Sequence, residues 1–196
     1  MAVFPLTFAQ VGAILATIHG VSEGKVSALQ SRVKDFQRRG FPNGLNTGKG
    51  KAAEYQPEHV IMLGVAFEFL ELGMTPERIV LLLSSAEPAV LPEMRRIASK
   101  GRGGLLRKNK TLLYFDPRGL TDLREGRDFE KSRTAVMIGT PADLERRFLS
   151  DVYGHPRLAV VDLFQMCWDL VEATMEVVDE QQEEVSIAYV EWGLST

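Results

Sequence analysis

Seven basic residues fall between positions 21 and 51: Lys25, Arg32, Lys34, Arg38, Arg39, Lys49 and Lys51. Only Glu23 and Asp35 oppose them, a net of +5 inside a chain whose total is −3. Cations concentrated in this way suit a polyanion, because each one that neutralises a phosphate releases a counterion. Their spacing adds a second requirement. At about 100° per residue, Ser27, Ser31, Lys34 and Arg38 fall on one helical stripe. Small hydroxyls let a backbone approach a surface closely, and the cations further along can grip phosphate. Lys49 and Lys51 alternate with Gly48 and Gly50 in "NTGKGKAAEYQPEHV", where glycine removes the steric reason for a loop to pack. An ordinary amphipathic helix also has a polar outer face. The lysine loop beside this helix favours nucleic acid.

Other chemistry is poorly supplied. His19, His59 and His155 share no metal-ligand spacing, and "GKGK" lacks the Gly-Lys-Ser/Thr end of a phosphate-binding loop. Asp116, Asp122 and Asp128 do not follow an EF-hand pattern and read as a solvated loop. Cys167 is the only cysteine, so no disulfide or thiolate-pair metal site forms within one chain. It stands in an apolar helical run and reads as a core residue. The expectation is no catalytic set, no metal and no cofactor. Trp168, Tyr189 and Trp192 can either line a pocket for a small-molecule effector or fill a core.

The elements that would position the cations read as helices. Thr7 with Gln10 forms a capping-box pattern before Phe8, Val11, Leu15 and Ile18, and Gly20 supplies a stop. Ser22 caps a second helix, 22–39, whose apolar row is Val26, Leu29, Val33 and Phe36. Pro57 opens a third helix after Tyr55, Gly73 closes it, and Thr75-Pro76 begins a fourth. The connection "HGVS" is short and contains glycine, as a helix-turn-helix requires.

This order of pieces, from Thr7 to Ser85, resembles the winged helix-turn-helix DNA-binding domain of MerR-type transcription regulators and the related phage excisionases. In that resemblance Gly20-Val21-Ser22 is the turn and "FQRRGFP" the exit of the recognition helix. The segment 43–54 is the wing, and "LELGMTPERIVLLL" the closing helix pair. The family's Arg-Tyr-Tyr cluster stands as "VKDF" here, so its base contacts do not carry over residue by residue. The resemblance implies a transcription factor that reshapes promoter DNA.

Past this point Pro88 and Pro92 are expected to interrupt any long helix, and "SKGRGG" reads as a joint. "TLLYF" and "TAVMI" read as strands, and Thr140-Pro141 starts a helix carrying Leu144 and Phe148. A long amphipathic helix follows Pro156, with Val161, Phe164, Trp168, Val171, Met175 and Val178 in one row. Leu163, Cys167, Leu170 and Val177 give it a second apolar face, expected to bury against a sheet and against either the monomer's own core or a second subunit. "VSIAYVEW" reads as a last strand. From 161 to the end there are nine acids and no Lys or Arg, so the charge is split between the halves.

The expected fold is therefore mainly α with a small β component. It comprises a winged helix-turn-helix domain at 1–87, a linker at 88–104 and an α+β domain at 105–196 for dimerisation or effector binding. The start of the chain lacks the basic segment of a secretion signal. No apolar run approaches the roughly 18–20 residues needed to span a bilayer, so the reading is cytoplasmic. The expected function is a sequence-specific, homodimeric regulator of double-stranded DNA using Ser22, Lys25, Ser27, Ser31, Arg32, Lys34, Arg38, Arg39, Lys49 and Lys51. An architectural or excisionase-type prophage factor is the neighbouring alternative. A protein- or ligand-binding adaptor using the acidic half is the alternative from another class.

Overall fold

Thr7 closes the first turn of a helix in both directions: its hydroxyl accepts from the Gln10 backbone N–H while Gln10 reaches back to the Thr7 backbone. The computed structural model that places this cap describes residues 3–45, 50, 52–100, 110–117, 136–149, 158–178 and 182–195. In chain order the elements are α1 (Phe8–Ile18), a 3-10 turn (Glu23–Lys25), α2 (Val26–Arg38), α3 (Pro57–Glu71), α4 (Pro76–Ser99), β1 (Leu112–Phe115), β2 (Met137–Gly139), α5 (Pro141–Phe148), β3 (Ala159–Asp162), α6 (Leu163–Val178) and α7 (Gln182–Leu194). Among the described residues the chain is mainly helical, with one three-stranded antiparallel sheet in the order β2-β1-β3. All four residues of β1 are buried, as a central strand covered on both faces should be. Among the described residues no helix is long and apolar enough to cross a membrane.

Three sequence expectations are corrected. Pro88 and Pro92 do not break the fourth helix: α4 runs through both of them to Ser99, occupying most of the stretch read as a linker. The prolines stand one turn apart on the exposed side, while Ala86, Val90, Met94 and Ile97 are buried on the other. The carbonyls that lose their helical donors, those of Ser84 and Pro88, therefore belong to the face that water reaches. "VSIAYVEW" forms helix α7 instead of a strand. Val185, Tyr189 and Trp192 are buried at helical spacing, whereas Ile187, which period-two alternation would put inside, is 47% exposed. The long helix starts later than its apolar row, since Val161 lies in β3. Asp162 ends that strand and caps α6, its Oδ1 accepting from the backbone N–H groups of Phe164 and Gln165, each at 3.1 Å.

The halves expected to be separate domains share a hydrophobic core. α1 packs on α6, and α4 packs on both α3 and α7. The second apolar face of α6 is thus used within the chain. α3 is buried on all sides, and Gly64 leaves room for Leu170 of α6. The end of α7 is tied down at several points. Arg95 donates to the Trp192 carbonyl at 2.9 Å and its guanidinium lies 4.7 Å from the centre of the Trp192 ring. The Trp192 indole N–H donates to Glu58 at the start of α3, at 2.9 Å. Tyr189 and Trp192 fill the core, and Cys167 is buried with its thiol pushed up to about 12 by desolvation.

Candidate nucleic-acid interface

α2 is held by Leu29, Val33 and Phe36, all buried. The opposite ridge carries Ser27, Ser31, Lys34 and Arg38, all exposed. The periodicity that sends three apolar residues inward fixes the outward position of these four. Their local chemistry is specific. The Ser31 hydroxyl donates to the Ser27 carbonyl one turn earlier at 2.9 Å, so its remaining capacity towards a ligand is as an acceptor. The Lys34 ammonium lies 5.3 Å from the centre of the Phe8 ring, which steadies its stem beside α1. Arg38 pairs with Asp35 at 3.2 Å and remains 75% exposed.

The other predicted cations do not join this ridge. Arg39 pairs with the same Asp35 at 3.1 Å, and these guanidiniums, Arg39 foremost, hold the carboxyl below its ordinary range. Lys25 and Arg32 project on the flank of α2 and border a cleft shared with the α1–α2 turn and α3. Ser22 is exposed at the entry to the 3-10 turn and makes no side-chain capping bond, contrary to the expectation that it caps the second helix. Lys49 and Lys51 lie outside the described residues, as does His155. The ends of their segment are fixed: Phe41 and Tyr55 are buried, Leu6 and Tyr55 exchange two backbone hydrogen bonds of 2.9 Å, and Gln37 donates to the Tyr55 hydroxyl. Phe41 and Tyr55, on either side of the segment 43–54, are therefore both anchored, Tyr55 to Gln37 near the C-terminal end of α2. The described residues of that segment form no strand beyond the Tyr55 bridge.

Sequence reasoning missed the supports. Phe8 beneath Lys34 and Gln37 on Tyr55 are contacts between residues distant in the chain, and no local pattern announces them. It also missed His19 and Glu71 at the cleft, with His19 Nδ1 3.9 Å from Glu71 Oε1. Among the described residues no group of three His, Cys, Asp or Glu could hold a metal ion.

The buried histidines carry a pH prediction. Burial lowers the pKa values of His19 and His59 below the ordinary 6.5, against opposing pulls from Glu71 and Glu58. Below about pH 6.5 the unfolded chain binds protons that the folded chain resists, so their contribution is present above that value and lost as pH falls towards the folded values. Burial raises the Glu68 carboxyl, which acts in the opposite sense at lower pH. Urea midpoints should therefore fall on acidification from about pH 7 to 5, and His19→Gln should flatten that fall. A variant as pH-sensitive as the parent contradicts this assignment for His19.

Comparison with known protein families, curated proteins and solved structures found no match.

Proposed function

We propose that the protein is a sequence-specific DNA-binding regulator of winged helix-turn-helix type that lays α2 in the major groove. The reading rests on one observation: Ser27, Ser31, Lys34 and Arg38 form an exposed ridge directly opposite the buried row of the same helix. A helix held by one face and presenting hydroxyls and cations on the other has the form a major groove admits. In this reading Ser27 and Ser31 approach base edges, Lys34 and Arg38 engage the backbone, and Lys49 and Lys51 clamp neighbouring phosphates. Arg39, held by Asp35, has a smaller share. Because the Ser31 proton is engaged by the Ser27 carbonyl, the hydroxyl reads an exocyclic amino group, on adenine or cytosine. A homodimer would repeat α2 one turn of duplex away, about 34 Å along the axis.

Selection of bound fragments from random genomic DNA tests the proposal, with expected enrichment of a short, repeated half-site. Ser31→Ala should relax preference at one position of that half-site, by about 0.5–1.5 kcal/mol for the single hydrogen bond lost. Selection that enriches no sequence, or an identical preference in the variant, counts against base reading by α2.

A further inference from the structure

We propose that the cleft flanking α2 is a binding site for a small organic acid, an apolar body bearing a single carboxylate. The cleft measures about 330 Å³, within the range of small-molecule sites. Its floor is Val21, Leu29, Phe67 and Leu70, from the α1–α2 turn, α2 and α3. Such a surface gains from covering by an apolar group and gains nothing from a fully hydrated ion. Lys25 and Arg32 stand on its border, and their side chains make no hydrogen bond or ion pair with another described residue. Arg32 offers the planar fork that a carboxylate matches with two bonds, and Lys25 adds a mobile point charge.

The remaining polar groups narrow the ligand. Glu71 also lines the cleft, and its side chain is 67% exposed. Two cations with one carboxylate leave a local charge of about +1, which balances a monoanion and disfavours a phosphate dianion. His19 forms part of the wall with its ring 5.6 Å from that of Phe67; its side chain is only 7% exposed. Its Nε2 is buried with no hydrogen-bond partner among the described residues. Burial favours the neutral imidazole, so His19 adds no third cation. Apolar floor, paired cations and near-balanced charge together describe a carboxylate with a hydrophobic tail.

This site goes beyond the DNA reading and does not rest on it, since the cleft lies to the side of the Ser27–Arg38 ridge. The test uses the full chain without DNA. Phenylacetate is titrated while the methyl signals of Val21, Leu29 and Leu70 are followed by NMR, with 2-phenylethanol as an uncharged analogue of similar shape. The expected result is saturable shifts confined to these methyls with phenylacetate, and binding about tenfold weaker for 2-phenylethanol. Arg32→Gln, at an exposed position that the fold does not use, should also weaken phenylacetate about tenfold, and Lys25→Gln should act in the same direction. No saturable shift at these methyls overturns the inference. So does equal binding of the alcohol, or unchanged binding in both variants.

Discussion

Gly193→Ala is expected to destabilise the protein by about 2–3 kcal/mol, although alanine is the better helix former by about 1 kcal/mol. A Cβ at position 193 would stand 2.6 Å from the Ser99 backbone nitrogen and 2.7 Å from the Arg95 carbonyl oxygen. Both obstacles are main-chain atoms of α4, so no side chain can rotate away. The helices must separate, which loosens the Arg95–Trp192 and Trp192–Glu58 contacts that hold α7. For a chain of 196 residues this corresponds to a fall in Tm of roughly 4–12 °C. Gly64→Ala is the internal comparison. Its Cβ would meet Leu170 Cδ1 at 3.0 Å, the end of a side chain that can turn, so a smaller loss is expected. Thermal and urea unfolding check the pair. A Gly193→Ala protein as stable as its parent would mean that α4 and α7 do not cross so closely.

The second large effect is on DNA affinity. Lys34→Ala combined with Arg38→Ala should weaken binding to any duplex by about a hundredfold, taking ~1.5 kcal/mol for each charge-assisted contact. Because phosphate contacts carry no sequence information, specific and nonspecific duplexes should lose affinity alike. Stability should change little, since both side chains are exposed and Asp35 keeps Arg39 as a partner. The comparison is anisotropy titration of parent and double variant with two unrelated duplexes. Loss on one duplex only would move Lys34 or Arg38 from the backbone to the bases.

Local signals in the sequence located most of the helices. Thr7 with Gln10, and Thr140 with Pro141, are helix starts that need no distant partner, and the structure has both, the second closed in addition by Asp143. The inward row Leu29, Val33 and Phe36 implied the outward ridge by angle alone. What failed depends on tertiary surroundings. Pro88 and Pro92 are tolerated because α4 turns them to solvent, and α7 adopts helical spacing because Val185, Tyr189 and Trp192 have neighbouring helices to bury against. A count of charge along the chain grouped Lys25, Arg32 and Arg39 with the ridge. Around the helix, Lys25 and Arg32 belong to a cleft, while Arg39 joins Arg38 at Asp35 on the flank.

The most direct measurement is the affinity of the full chain for a random-sequence duplex across a range of salt concentration. If Lys34, Arg38, Lys49 and Lys51 each neutralise a phosphate, log Kobs falls linearly with log salt at a slope of about −3 to −4. Removing the two ridge cations should then reduce the steepness by about 2. An affinity indifferent to salt, or no duplex binding even at low salt, contradicts the account.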